Sequence, residues 1–263
     1  MKRGVNRTIR FVDYAQLFKT LCIERLRLGG MAKALSEQMQ NHEIGSLTFE
    51  ERLGLLVDRE LTERENRRLT TRLRVARLRQ QASIEDLDFK GARGMDKSVV
   101  MSLSANQWIH DHQNILITGP TGVGKSYLAC ALGHKACRDG HMVLYQRLPR
   151  LLHDLAISRH DGRYKKLMAA LLRTDLLVLD DFGIVPVTQE GLRDMLEILE
   201  DRYDRRSTIV TSQVPVKRWH EALADPTMAD AILDRLVHNA HKIELKGESM
   251  RKIRSVVDKP KTA

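Results

Sequence analysis

Gly119-Pro120-Thr121-Gly122-Val123-Gly124-Lys125-Ser126 reads G-x-x-x-x-G-K-S, a phosphate-binding loop. Its flanks supply the context that the motif needs. Asn114-Ile115-Leu116-Ile117-Thr118 before it is short, apolar and β-branched, the pattern of a buried parallel strand. After it, Tyr127 to Arg138 carries Leu128, Ala131, Leu132 and Ala136 at helical spacing. Gly122 and Gly124 let the backbone turn tightly and approach an anion that a Cβ would obstruct. Loop amides and the helix N-terminus then face that anion. Lys125 brings a mobile positive charge to the β- and γ-phosphates, and the Ser126 hydroxyl is a ligand for Mg²⁺. The nucleotide-contacting set read from this stretch is Gly119, Pro120, Thr121, Gly122, Val123, Gly124, Lys125, Ser126 and Tyr127.

A second stretch, Asp175-Leu176-Leu177-Val178-Leu179-Asp180-Asp181, is an apolar run that ends in two carboxylates. Alone it is a weak signal. Downstream of a phosphate loop it is the Walker B arrangement, a buried strand that delivers acids beside the loop. Asp180 is then the candidate Mg²⁺ ligand, directly or through water. Asp181 is the candidate general base that polarises the attacking water. Ser207-Thr208-Ile209-Val210-Thr211-Ser212-Gln213 is a further strand whose polar end sets Gln213 near the γ-phosphate or the catalytic water; a strand-end cap is the alternative.

The remaining strands are expected at Met142 to Tyr145, after a stop at Gly140, and at His241 to Leu245. Helices are expected at Asp96 to His110, Leu151 to Ile157, Gly191 to Arg205 and Ala229 to Val237. The polar segment from Arg159 to Lys166 reads as an exposed loop or helix start, or as a loop facing DNA through Lys165 and Lys166. Trp108 and Trp219 read as packing residues, and Cys130 and Cys137 as core residues on one helix face.

Residues from about Asp13 to Arg79 read as helical, with breaks at Gly29-Gly30 and Gly45-Ser46. Thr48 and Glu51 have capping-box spacing. Arg67, Arg68, Arg72, Arg74, Arg77 and Arg79 surround a narrow stripe of Leu69, Leu73 and Ala76. One reading is a solvated face balanced by Glu63 and Glu65. The other is a surface for the phosphate backbone of DNA, since arginine grips phosphate and fixes position without reading bases. The net charge of +10, from 44 Lys and Arg against 34 Asp and Glu, admits a polyanionic partner without demanding one.

The expected organisation is an N-terminal basic helical module over 1–80, a connector over 81–97, an ATPase domain over 98–255 and a disordered tail over 256–263. Three cysteines with no metal-ligand spacing suit a reducing compartment. No apolar run reaches the ~20 residues that span a membrane. The expectation is a soluble, cytoplasmic protein.

With these motifs in place, the chain resembles the IstB family, AAA+ helper ATPases of bacterial insertion sequences related to the DnaC helicase loaders. The resemblance is carried by the two Walker stretches, Leu179-Asp180-Asp181-Phe182-Gly183, Thr211-Ser212-Gln213, Ala231-Ile232-Leu233-Asp234-Arg235-Leu236 and Gly247-Glu248-Ser249-Met250-Arg251. Phe49-Glu50-Glu51-Arg52-Leu53 and Glu65-Asn66-Arg67-Arg68-Leu69 add to it. It implies an α/β AAA+ P-loop NTPase with a parallel sheet flanked by helices, behind a small all-helical N-terminal domain. It also implies ATP and Mg²⁺ as cofactors, double-stranded DNA and a transposase as partners, and a homo-oligomer with ATP at subunit interfaces. Arg235 becomes a candidate arginine finger and Arg251 a candidate nucleotide-sensing residue; the residues alone favour an ordinary surface ion pair for Arg235, with Asp234 as a partner. Gln213 stands where the family usually carries Asn, and little chain follows Arg251 for a helical lid. A replicative helicase loader is the nearest alternative. A small-molecule P-loop kinase would need an acceptor pocket and lid, and a GTPase would need an N-K-x-D or T-K-x-D motif; none of these is found in the sequence.

Overall fold

A computed structural model describes residues 26–89 and 94–250, without the side chains of residues 42 and 43. The apolar face expected at Tyr14 to Leu21, Cys22, Arg251 and the tail lie outside the described residues. The chain divides into two compact units, residues 1–70 and 71–263.

The first unit is helical. Helix α1 spans Gly29–Gln40, a 3₁₀ turn spans His42–Ser46, and α2 runs Phe49–Ala76, its last turns belonging to the second unit. The N-terminus of α1 is closed by a carboxylate from α2. Glu60 Oε2 accepts from Gly30 N at 2.6 Å and Met31 N at 3.1 Å, where the helix dipole favours a negative charge. Only glycine fits at position 30, because a Cβ there would lie 2.7 Å from Glu60 Cα. The capping box at the start of α2 is present: Thr48 N donates to Glu51 Oε2 at 2.8 Å and Glu51 N to Thr48 Oγ1 at 3.3 Å. Phe49 and Leu53 of α2 are exposed.

The second unit is built on a five-stranded, wholly parallel sheet of order β2-β3-β4-β1-β5. The strands are β1 Asn114–Thr118, β2 Val143–Arg147, β3 Leu176–Phe182, β4 Ser207–Ser212 and β5 Ala240–Glu244. Helices α3 (Lys97–Ser104), α4 (Gln107–His110) and α5 (Lys125–Arg138) precede β2. Helices α6 (Leu148–His160) and α7 (Tyr164–Arg173) join β2 to β3, and α8 (Gln189–Arg202) joins β3 to β4. The short α9 (Trp219–Ala222) and α10 (Pro226–Val237) lead to β5.

Side-chain alternation divides the sheet's two faces. Leu116, Leu177, Leu179 and Val210 pack under α6, α7, α8 and α10, with Leu155, Leu171, Ile198, Trp219 and Ile232 in the same cluster. The other face lies under α5, where Gly133 allows close packing: a Cβ there would meet Leu78 at 3.1 Å and Val143 at 3.4 Å. Trp219, fully buried, packs on Phe182 with ring centroids 4.4 Å apart, and its Nε1 donates to Val214 O at 2.8 Å. Trp108, Cys130 and Cys137 are buried, as expected.

One expectation is corrected. The single helix from Asp96 to His110 is two, broken where Asn106 takes the left-handed conformation (φ 59°) and its amide donates to Asp139 Oδ2 at 2.7 Å. Asparagine tolerates that conformation far better than most residues. The polar segment from Arg159 to Lys166 holds the helix start that is one of its readings, at Tyr164. It opens α7, which buries Met168 and Leu171.

At the N-terminal edge of the sheet, the buried Arg202 guanidinium joins three segments. It donates to the carbonyls of Leu171 (2.7 Å), Thr174 (2.9 Å), Asp175 (3.4 Å) and Ser207, and to Thr208 Oγ1 at 3.2 Å. Among the described residues, no helix is long and apolar enough to cross a membrane.

Candidate nucleotide-binding site

The phosphate loop leaves the carboxyl end of β1, between β4 and β5, where open parallel sheets place ligands. Gly119, Gly122 and Gly124 all have positive φ, at 146°, 82° and 109°. At Gly119 a Cβ would lie 2.2 Å from Leu245 O, and at Gly122 it would lie 2.1 Å from Ser249 Oγ. The loop is therefore pressed against the segment after β5, and Met250 N donates to Gly122 O at 2.9 Å. Gly124 starts α5 with no side-chain cap, so its first amides are open to an anion. Lys125 Nζ donates to the carbonyls of Gly119 and Pro120, both at 2.8 Å, which holds the ammonium along the loop.

Ser126 Oγ lies 2.9 and 3.0 Å from the two carboxylate oxygens of Asp180, 54 residues away in sequence. Asp180 is fully buried. It also accepts hydrogen bonds from the hydroxyls of Thr211 on β4 and Tyr145 on β2. Burial and then the hydrogen bond to Asp180 push the Tyr145 phenol well above its ordinary range, so it is a proton donor here at any physiological pH. A hydroxyl beside one carboxylate is a hard-oxygen donor set of the kind that holds Mg²⁺ together with phosphate oxygens.

Asp181 is set differently. The pairing of β3 with β4 shifts register between Leu179 and Phe182, and Asp181 has φ 66°. This local irregularity re-aims the side chain, as bulges beside functional sites do. Its Oδ2 accepts from Arg147 Nε at 2.7 Å. It borders a cavity of about 260 Å³, with Leu152, His153 and Val187 among its other walls, rather than the cavity over the loop. Gln213 comes to the loop directly: Thr121 Oγ1 donates to Gln213 Oε1 at 2.5 Å.

The cavity over the loop measures about 370 Å³. Gly122 to Tyr127 form its floor, with Leu245 and Met250 on the side. Gln80, Asp86, Leu87, Asp88 and Met95 complete it. These residues fall at the end of the basic stretch and in the segment read only as a connector. The polar and apolar alternation there was the available signal, but no periodicity tied it to the loop.

Arg235 stands at the opposite end of the sheet. Its backbone carbonyl accepts from Asn114 Nδ2 at 3.1 Å, at the first residue of β1. The phosphate loop begins after the last residue of that strand, about 13 Å away at ~3.3 Å per residue. Its guanidinium pairs with Glu200 and donates to Ala231 O at 2.8 Å. The basic stretch is also divided. Arg68, Arg74, Arg77, Lys165 and Lys166 are exposed, and Arg67 pairs with Glu60 at 3.5 Å. Arg72 donates to Gly140 O at 3.4 Å. Arg79, also exposed, reaches toward Asp180, with Nη1 at 3.6 Å from Oδ2. Its guanidinium is held charged first by its hydrogen bond with Tyr145 and further by the nearby Asp180.

The sheet order, the phosphate loop and the paired Ser126 and Asp180 define an AAA+ P-loop protein. The family described as IstB-like ATP binding protein matches residues 20–257, and the chain belongs to that family. An insertion sequence ATP-binding protein of Sinorhizobium fredii is 56% identical over 230 residues, which cover 88% of this chain and 94% of that protein. Among solved structures, the DnaC helicase loader superposes with a TM-score of 0.54 at 18% identity, over 63% of this chain and 97% of that one. AMPPCP-bound DnaA from Aquifex aeolicus superposes with a TM-score of 0.55 at 19% identity, over 71% of this chain and 58% of that one. The two structural likenesses concern the fold alone.

Proposed function

We propose that this chain is an ATP-dependent DNA-binding helper of transposition. It binds ATP on the phosphate loop, oligomerises on target DNA and recruits or regulates a transposase. The observation that carries the ATP reading is the contact between Ser126 and the buried Asp180, which joins a loop hydroxyl to a strand-end carboxylate across 54 residues. When bound, Mg²⁺ would be held by Ser126 and Asp180 and would neutralise phosphate charge. Lys125 carries charge to the β- and γ-phosphates. Gln213, fixed to Thr121, orients the attacking water, and Asp181 accepts its proton once a rotation brings it to the loop. Family membership and the names of relatives support ATP and an insertion-sequence setting.

The position of Arg235 supports a site completed in trans. It sits at the sheet end far from its own loop, so it serves a neighbouring subunit's ATP. Arg67 and Arg68 on the first unit, and Arg72, Arg74, Arg77, Lys165 and Lys166 on the second, contact the duplex backbone. The division of labour is a basic helical module over 1–80, a connector over 81–97 and an ATPase domain over 98–255.

The test is ATPase activity measured with particle size, with and without duplex DNA and ATP, for the wild type and Lys125→Ala. The expected result is DNA-stimulated hydrolysis and ATP-dependent assembly, both lost in the variant. Unchanged assembly of Lys125→Ala in ATP would refute the mechanism. The fold likeness to the DnaC helicase loader keeps a loader as the second reading; a pulldown that retains helicase and no transposase would favour it.

A further inference from the structure

Arg79 lies three residues beyond the end of α2, and the next residue, Gln80, lines the nucleotide cavity. Its Nη1 is 3.6 Å from Asp180 Oδ2, the oxygen that also accepts from the Tyr145 hydroxyl. The carboxylate assigned to Mg²⁺ thus already faces a tethered cation from the basic stretch. The form of the contact matters. A fixed structural arginine in this protein looks like Arg202, 1% exposed and locked by five hydrogen bonds. Arg79 instead makes one hydrogen bond, with Tyr145, and a long approach to Asp180, with 41% of its side chain exposed. It can leave for solvent at the loss of one hydrogen bond, where Arg202 would lose five. The same planar fork that meets a carboxylate also meets a phosphate diester.

We propose that Arg79 is a switch shared between Asp180 and the phosphate backbone of bound duplex DNA. Without DNA, its charge offsets that of Asp180 and opposes a divalent cation there. When a DNA phosphate draws Arg79 away, the carboxylate recovers its full charge and Mg²⁺-nucleotide binding tightens. By linkage, Mg²⁺-nucleotide then tightens DNA binding by the same factor. This inference rests on the proposed roles of ATP and duplex DNA, and it supplies the link between them.

The experiment titrates a fluorescent ATP analogue into the full chain. It is done in Mg²⁺ and in EDTA, each with and without duplex DNA, for the wild type, Arg79→Gln and Arg79→Lys. Mn²⁺ binding, followed by electron paramagnetic resonance, gives a second readout that does not depend on hydrolysis. For the wild type in Mg²⁺, duplex DNA should tighten nucleotide binding by at least about fivefold, the lower end of ordinary coupling, and should change it little in EDTA. Arg79→Gln should bind Mg²⁺-nucleotide without DNA as tightly as the DNA-bound wild type, and DNA should add nothing. Arg79→Lys, which keeps the charge, should retain part of the coupling. Wild-type coupling in Arg79→Gln would overturn the inference. So would equal weakening in Mg²⁺ and EDTA, the mark of a residue that only props the fold. Wild-type protein that binds no nucleotide would instead overturn the ATP reading, and the inference with it.

Discussion

The substitution Gly122→Ala tests whether the phosphate loop depends on the segment that follows β5. The new Cβ would stand 2.1 Å from Ser249 Oγ, 2.8 Å from Ser249 Cβ and 3.3 Å from Ser249 Cα. Rotation of the hydroxyl relieves the first approach but not the second, so residues near 249 must retreat by roughly half an ångström or more. That retreat strains the hydrogen bond from Met250 N to Gly122 O, worth about 1 kcal/mol. Holding alanine at φ 82° adds about 1–2 kcal/mol. The sum, about 2–3 kcal/mol, corresponds to a roughly 30- to 150-fold loss of nucleotide affinity if the bound loop keeps its shape. Gly124→Ala is the control: its φ is also positive, but nothing lies within 4 Å of its Cβ, so it bears conformational strain alone. Ser249→Gly removes the clashing atoms and should recover about fivefold in the double variant but nothing in Gly124→Ala. The assay is equilibrium titration with a fluorescent ATP analogue, with thermal melting as the check on folding. Equal losses in the two alanine variants, with no rescue by Ser249→Gly, would refute the packing argument.

Asp181→Asn should leave ATP binding intact and lower hydrolysis by about 10²-fold or more, the scale of a lost general base; single-turnover hydrolysis measures it. Arg202→Leu should destabilise the fold by about 3–5 kcal/mol, because it strands several buried carbonyls at once; urea unfolding measures it. Arg235→Ala should abolish hydrolysis in homogeneous oligomers. Mixing it with Asp181→Asn, which keeps ATP binding, should restore part of the activity, since some interfaces then join an intact Asp181 to an intact arginine. Absence of complementation in well-mixed oligomers would count against a site completed in trans.

The central half of this architecture was open to sequence reasoning. Ile115, Leu116 and Ile117 before a glycine-rich loop, and Leu176 to Leu179 before two acids, are contiguous runs whose strand character is local. Their meeting through Ser126 and Asp180 followed from the known logic of phosphate loops. What escaped was non-local or mixed in signal. Arg79 sits among arginines that all look alike along the chain, and only the folded sheet brings it to an aspartate 101 residues later. Acidic and apolar residues take turns around Asp86, Leu87 and Asp88, but so short an alternation ties neither them nor Met95 to the phosphate loop whose cavity they line. The start of helix α7 is one of two readings rather than a clear one, because its first turn is Tyr164-Lys165-Lys166, polar enough to pass for a loop, while its apolar residues begin only at Leu167. Asn106 ended a helix through a backbone conformation that hydrophobic periodicity does not register.

The stacked pair of Trp219 and Phe182 has a practical consequence. Phe182 directly follows Asp181, and Val214, which takes the indole hydrogen bond, directly follows Gln213. The indole is thus wedged between the two strand ends that carry the proposed catalytic groups. Trp108, the other tryptophan of the chain, is anchored instead to Leu103 O, in the helices before β1. Replacing Trp108 with phenylalanine would leave a protein with one built-in optical reporter. Its emission would follow the rearrangement of those strand ends in real time, with no label attached.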